Sequence, residues 1–163
     1  MPLPKYDTEK VIVDIAKIIV AKFNAKLLEI TADKANDSEV PQFDLKPLQE
    51  NAIDLLSANR KNASYDPFLV IELLTVQPIQ NIGQKSIEVA LAISMLDPMD
   101  GTAEFRMLRY LRAFDEIFSP EEGVNIGLAS LSATEILPYL DSPDFQDATK
   151  RRLTWGLRLR ITL

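Results

Sequence analysis

Two stretches of the chain carry residue types that could bind an ion or a phosphate. Asp141, Asp144 and Asp147 recur every third residue, and clustered carboxylates are ligands that calcium prefers. Calcium loops alternate their ligands more closely around a glycine turn, so this spacing better fits a solvated face or partners for the basic residues that follow. The segment NIGQKS (81–86) places a glycine near a lysine but lacks the spacing of a phosphate-binding loop. Neither stretch therefore predicts a metal or cofactor site.

The residue types that most often carry catalysis are missing from the chain. It contains no cysteine, which excludes disulfides, thiolate metal sites and cysteine nucleophiles. It contains no histidine, the commonest general base and a frequent metal ligand. Chemistry based on carboxylates alone stays possible, but no pair of acids stands out in the sequence. We therefore predict a protein that is not an enzyme and that uses no cofactor or metal.

The net charge of −6 is distributed unevenly. Residues 97–149 contain three basic and eleven acidic residues, whereas residues 150–163 contain five basic residues and no acidic one. Either the basic end pairs with an acidic neighbour inside its own fold, or oppositely charged patches of adjacent copies meet head to tail in a ring. An acidic chain is a poor partner for DNA, because neutralising phosphates needs a dense basic surface. We predict no sequence-specific nucleic-acid binding.

The pattern of hydrophobicity argues against a membrane protein. No charge-free apolar run approaches the ~18 residues that a membrane span needs. The N-terminus MPLPKYDTEK lacks the order of charged and apolar regions that marks a secretory signal. We expect a cytoplasmic protein, or one that joins an assembly built in the cytoplasm.

The closing segment RRLTWGLRLRITL (151–163) alternates apolar and polar residues for twelve positions, which predicts a half-buried strand. Arg152, Arg158 and Arg160 fall on its polar side. They either pair with acids on neighbouring strands, such as Glu72 or Glu88, or face the acidic surface of an adjacent subunit. These three arginines are candidate subunit-interface residues.

The first predicted helix, residues 8–23, is apolar around much of its circumference. Polar residues recur there at helical spacing, and Ile12, Ile15 and Ile19 form one face. Val13 and Val20 lie well off that face. Such a helix is covered on two sides either by its own fold or by a neighbouring subunit, so Val13 and Val20 are also candidate interface residues.

The patterns together predict one α+β domain spanning residues 1–163. We expect a mostly antiparallel sheet of four to five strands, packed by the N-terminal helix and by a long helix between strands, with residues 24–64 forming a variable loop and an extra helix. The individual predictions after the first helix are a strand at 26–31, a loop at 32–43, a helix at 47–59, a hairpin of strands 68–76 and 85–96, a helix at 102–118, and strands at 133–140 and 152–163.

This order of elements resembles the tail terminator proteins of long-tailed phages and prophages, which complete the tail and join it to the head. In that family an N-terminal helix and a variable loop precede an apolar strand that opens with proline, followed by a hairpin partner, a long helix and two final strands. The matching parts here are Pro67-Phe68-Leu69-Val70-Ile71, KSIEVALAISML, the helix at 102–118, the strand near Ile136, the acidic turn DSPDFQDATKRRL and the closing RRLTWGLRLRITL. The resemblance covers most of the chain from residue 65 onward.

The resemblance implies a structural virion protein without catalytic residues. It implies that the chain assembles with itself into a hexameric ring, which caps the tail tube protein and meets the head-connector protein, and that it resides in the virion tail after assembly in the host cytoplasm. Two other interpretations stay open. One is another neck or baseplate component, or an adaptor subunit of a contractile injection system. The other, from a different class, is a small-ligand-binding α+β protein that uses carboxylates.

Overall fold

A computed structural model describes residues 8–55, 65–79, 84–120, 130–138, 142–143 and 149–162. The chain is an α+β protein, as predicted. Its elements are α1 (Thr8–Lys34), a 3-10 turn (Glu50–Ala52), β1 (Ile53–Leu55), β2 (Phe68–Ile79), β3 (Gln84–Leu96), α2 (Ala103–Ile117), β4 (Ser130–Pro138), β5 (Ser142–Pro143) and β6 (Arg151–Thr162). None of the helices in this described part is long and apolar enough to cross a membrane.

The sheet is mixed, with one parallel pair. Its four long strands run in the order β2-β3-β6-β4, each antiparallel to its neighbour. The short β1 joins one edge parallel to β2, with Ile53 opposite Leu69 and Leu55 opposite Ile71, and the two-residue β5 pairs with β6. The parallel β1 was not foreseen, because three residues are too few to display a strand period.

One face of the sheet forms the floor of the core. Alternate residues of the two central strands point to this face and are fully buried, among them Val89, Leu91, Leu157 and Leu159. The two helices pack against each other above it, with the rings of Phe23 and Phe114 stacked at 4.3 Å between centroids. The alternation read from the sequence therefore corresponds to a sheet that is covered by helices on this face.

Helix α1 is longer than predicted. The helix predicted at 8–23 continues to Lys34, so the strand predicted at 26–31 is wrong. Phe23, Leu27 and Ile30 are all buried and are separated by four and three residues, which continues the core-facing side of the helix. The β-branched Ile30 and Thr31 favour a strand locally, but packing against the core outweighs that preference.

The extra helix predicted at 47–59 is also wrong over the described residues. Residues 50–52 form a single 3-10 turn, and residues 53–55 are extended as β1; residues 56–59 lie outside the described part. Pairing with β2 supplies the β1 backbone with hydrogen-bond partners that a helix would otherwise provide.

The remaining predicted elements occur close to their predicted positions. The strands predicted at 68–76 and 85–96 pair as an antiparallel hairpin, and β2 extends further, to Ile79. The helix predicted at 102–118 spans Ala103–Ile117. The strands predicted at 133–140 and 152–163 correspond to β4 and β6.

The segment from residue 35 to residue 49, here called the strap, has no regular structure but is held at many points. The amide of Asn24 on α1 donates to the carbonyl of Leu48 (2.8 Å) and accepts from its N–H (2.9 Å). Arg109 and Tyr110 on α2 donate to the carbonyls of Pro41 and Lys46, each at 2.8 Å. Side chains thus satisfy backbone groups that a loop would otherwise leave to solvent.

Phe43 anchors the middle of the strap. The guanidinium carbons of Arg106 and Arg109 lie 4.5 and 4.0 Å from the centroid of its ring, and Arg106 also donates to the carbonyl of Asp44 (3.0 Å). Arginine over an aromatic face is a favourable cation–π arrangement. At its far end, Lys46 forms an ion pair with Asp66 (2.9 Å), just before β2.

We predict that Asn24→Ala destabilises the protein by about 1–3 kcal/mol, because the substitution leaves the N–H and carbonyl of the buried Leu48 without their side-chain partners. Denaturant unfolding followed by circular dichroism would measure the change. Asn36→Ala, at an exposed turn position after α1, is the matched control. Equal effects of the two substitutions would contradict the anchoring role of Asn24.

Candidate subunit interface

Helix α1 presents an apolar stripe on the side that faces away from the core. Val13 is 40% exposed and Val20 is 47% exposed, and the two are seven residues apart, so they lie on one side of the helix. The opposite side of α1 is buried, including Val11, Ile15 and Ile19. The described fold therefore covers one side of this helix and leaves the side with the two predicted interface valines open.

The valines line a groove between α1 and the edge of the sheet. Ile53 and Leu55 of β1 form the opposite wall, and the groove has a volume of about 310 Å³. Ala16, Lys17, Ala21 and Glu50 complete its lining. A second concavity of about 230 Å³ adjoins it, sharing Val20, Glu50 and Ile53, and reaches inward to Phe23 and Leu48. The lining of the groove itself is mostly apolar and includes one lysine and one glutamate.

The strap positions β1, which forms the outer wall of the groove. The side chain of Asn24 binds the backbone N–H and carbonyl of Leu48. Leu48 lies two residues before the 3-10 turn that leads into β1. β1 then aligns with β2 so that Ile53 and Leu55 lie beside Leu69 and Ile71 on the helix-covered face. The side chains of Ile53 and Leu55 therefore face the open side of α1 across the groove.

An exposed apolar stretch of β2 continues this surface. β1 pairs only with Leu69, Val70 and Ile71, and the next residues on β2 include the exposed Leu73, Leu74 and Val76. The pairing of β2 with β3 shifts register between Leu73 and Thr75, which marks a bulge. No other described strand pairs with the outer edge of β2 beyond β1.

Arg152, predicted as an interface residue, lies inside its own fold. It is only 2% exposed, its Nη2 donates to the carbonyl of Tyr65 (3.1 Å), and its guanidinium lies 4.9 Å from the centroid of the Phe68 ring. The strand pattern placed it on the polar side of β6, which is correct, but that side is covered at this end of the sheet. Arg152 thus stabilises the start of β2 through Tyr65 and Phe68. It is buried and therefore not accessible to a neighbouring subunit.

Arg158 and Arg160 share a carboxylate on the neighbouring strand. Glu88 of β3 binds Arg160 at 3.0 Å and Arg158 at 3.7 Å. Arg160 stays more than half exposed, with 58% of its side chain accessible. This is the arrangement expected if the arginines pair within their own sheet. It leaves only the outer parts of their guanidinium groups for contact with another molecule.

Two acidic residues before α2, Asp97 and Asp100, stabilise the turn that precedes this helix. Asp97 accepts a hydrogen bond from the N–H of Met99 (2.8 Å), and Asp100 accepts from the N–H of Thr102 (3.0 Å). Hydrogen bonds from Thr102, with a smaller contribution from Arg106, lower the pKa of Asp100.

The two stretches considered in the sequence as ion or phosphate sites cannot be placed in the fold. Asp141, Asp144 and Asp147 lie outside the described residues, as does the start of NIGQKS.

Two of the residues that anchor the strap have shifted pKa values. Burial raises the pKa of Tyr110, and the nearby Asp66 adds to this effect. Burial, together with the charge of Arg106, lowers the pKa of Arg109, whose guanidinium remains charged at neutral pH. Within the described residues, no group of three or more acids is arranged to hold a metal ion.

Comparison with known proteins does not assign the chain to a family. No protein-family model matches the chain, and no curated protein shows significant similarity to it.

We predict that Arg152→Ala lowers the free energy of unfolding by at least about 2 kcal/mol, because it removes a buried charged hydrogen bond and the packing of the side-chain stem. Arg160→Ala, on the same strand, removes an exposed ion pair and should cost less than about 1 kcal/mol. Urea titrations of both variants test this order. A larger loss for Arg160→Ala would show that the roles of the two arginines are assigned wrongly.

Proposed function

We propose that the protein is a structural virion-assembly protein, a tail terminator whose copies form a ring. The ring caps the tail tube and joins it to the head connector. The observation that carries this proposal is the apolar groove between α1 and β1, with Val13 and Val20 exposed beside an edge strand.

The groove supports self-association on physical grounds. Single exposed apolar residues are common on monomeric proteins, but a contiguous apolar surface marks an interaction site. Here exposed residues of a helix, Val13 and Val20, lie next to Leu55 on the edge of the sheet, and Leu73 follows on the adjacent strand. An edge strand with an apolar margin is itself a template for contact with another chain. Covering both features at once requires a partner of protein size.

The charge distribution suits a passage for DNA. The chain carries a net charge of −6, and Arg158 and Arg160 of β6 are paired to Glu88. Such a surface lacks the dense positive charge that would retain phosphates, so a ring built from it would let DNA pass without binding it.

The order of elements supports the assignment to a terminator. An apolar strand that opens with Pro67, its hairpin partner, a long helix and a closing alternating strand occur in the order that resembles this family. The ring, its proposed six-fold symmetry and its location in the virion tail follow from that resemblance. The tube and head-connector partners follow from it as well.

Electron microscopy tests the proposed function directly. The purified protein would be imaged alone and after mixing with cognate tail tubes, since some assemblies of this kind form only on the tube. The proposal expects rings, or added density at one end of each tube. Unchanged tube ends, together with a protein that remains monomeric, would rule it out. Binding elsewhere on a virion neck or baseplate would favour the adaptor interpretation.

We predict that Val20→Asp weakens self-association at least about tenfold, because it places a charge in a contact that excludes water. Leu108→Asp is the matched control, since Leu108 is also 47% exposed but lies on α2. Sedimentation velocity over a range of concentrations, with and without tail tubes, measures the effect. Thermal unfolding should show that both variants are folded. Equal assembly of Val20→Asp and the unsubstituted protein would remove α1 from the interface.

A further inference from the structure

The strap is attached to the rest of the fold through side chains. Among the described residues, no hydrogen bond between two backbone groups joins residues 38–48 to a helix or to the sheet. The hydrogen bonds that do join them to the helices each use a side chain, such as that of Asn24, Arg109 or Tyr110. The segment can therefore leave its neighbours without breaking any backbone hydrogen bond within them.

The strap and the 3-10 turn that follows it contribute few residues to the core. Within residues 35–52, only Leu48 and Ala52 are buried apolar residues, and Leu45 packs against the core partly buried. Helix α1, by contrast, buries one side along most of its length. Segments with few buried apolar contacts are those that open locally at the lowest free energy.

The strap and the turn are linked at Leu48. The side chain of Asn24 binds both backbone groups of Leu48, which fixes the chain just before the turn begins. The turn is closed by a hydrogen bond from the N–H of Ala52 to the carbonyl of Gln49 (2.9 Å). When the strap detaches from the helices, the turn loses the contact that fixes its start. The strap and the turn are therefore expected to move together.

The wall of the groove depends on the same residues. Glu50 of the turn and Ile53, which directly follows the turn, line both concavities beside α1, and Leu48 lines the inner one. Val20 of α1 lines both concavities as well. The groove is therefore complete only while the strap and the turn are in place.

We propose that residues 41–52 open and close as one unit while the helices and the strands β2, β3 and β6 stay folded. The groove is complete only in the closed state, so this unit controls whether the surface for assembly exists. This control rests on the proposed function, whereas the opening is a property of the isolated protein. A partner that binds the groove favours the closed state, and closing favours binding by the same factor.

Hydrogen exchange followed by NMR, at a concentration at which the protein is monomeric, tests the opening. The reporters are the amides of Leu48 and Ala52, whose residues are 5% and 0% exposed. Their hydrogen bonds, to Asn24 and Gln49, belong to the closed unit. Exchange in the central strands β3 and β6 reports the unfolding of the whole protein.

Two substitutions weaken the attachment of the strap without altering either reporter. Tyr110→Phe removes the hydrogen bond to the carbonyl of Lys46, and Phe43→Leu removes the aromatic ring that two arginines of α2 contact. Each substitution should speed exchange at both reporter amides roughly threefold or more, because the closed state loses an interaction that the open state never had.

Ser94→Ala is the matched control. It removes a hydrogen bond that Thr154 donates to Ser94 (3.1 Å) between β3 and β6, away from the strap. Because this bond persists when the strap opens, the substitution should speed exchange in β3 and β6 and leave both reporter amides unchanged. The two anchor substitutions should speed exchange at the reporters and in the strands alike, since they also destabilise the closed protein relative to the unfolded chain.

Two results would overturn the opening unit. If Ser94→Ala speeds exchange at the reporters as much as in β3 and β6, the strap opens only when the whole protein unfolds. If the anchor substitutions leave the reporters unchanged, or affect one reporter and not the other, residues 41–52 do not move as a unit.

The control of assembly is tested by following the same reporters by mass spectrometry in the assembled protein, with and without tail tubes. Where assembly slows exchange in β1, the proposal expects exchange at both reporters to slow at least about tenfold. Slower exchange in β1 with unchanged reporters would overturn the control and leave self-association standing. Unchanged exchange in β1 under every condition would overturn assembly through the groove, while the opening measured on the monomer would still stand.

Discussion

The structure depends on how the strap is held against the two helices. A segment without helix or strand pairing must find other partners for its backbone groups, or leave them to solvent. Here Asn24 binds Leu48 through two hydrogen bonds, while Arg109 and Tyr110 bind carbonyls earlier in the strap. These bonds fix the point at which the chain enters β1. The position of β1 in turn determines the shape of the groove beside α1.

Helix α1 and the edge strand β2 bring two exposed features together at this edge of the sheet. The core needs α1 to bury one side, and that side is filled by a continuous series from Val11 to Ile30. The other side of α1 stays apolar at Val13 and Val20, and among the described strands only β1 pairs with the outer edge of β2, at Leu69 to Ile71. Since exposed edges and apolar stripes both promote contact with other chains, their coincidence gives this region its proposed role in assembly.

Sequence patterns predicted the elements whose residues repeat for long enough to be recognised. The alternation in β6 and β3 marked both strands, and the position of α2 followed from its turn and its apolar spacing. Val13 and Val20 were identified as residues off the core face, and the structure places them at the surface. These features are local, so a single sequence contains enough information to predict them.

The features that the sequence did not reveal depend on contacts between distant residues. β1 is three residues long and exists because of its pairing with β2, and α1 continues past Phe23 because Leu27 and Ile30 meet the core. Arg152 has the same place in the strand pattern as the other polar residues of β6, yet Tyr65 and Phe68 enclose it. No local signal separates a buried arginine from an exposed one on the same face of a strand.

The central claim is that the edge formed by β1 and β2 becomes covered when the protein assembles. Hydrogen–deuterium exchange, measured at low and high protein concentration and in the presence of tail tubes, tests it residue by residue. The account predicts that amides in residues 53–55 and 72–77 exchange at least about tenfold more slowly in the assembled state, while those of α2 are unchanged. Exchange at this edge that does not differ between monomer and assembly would contradict it.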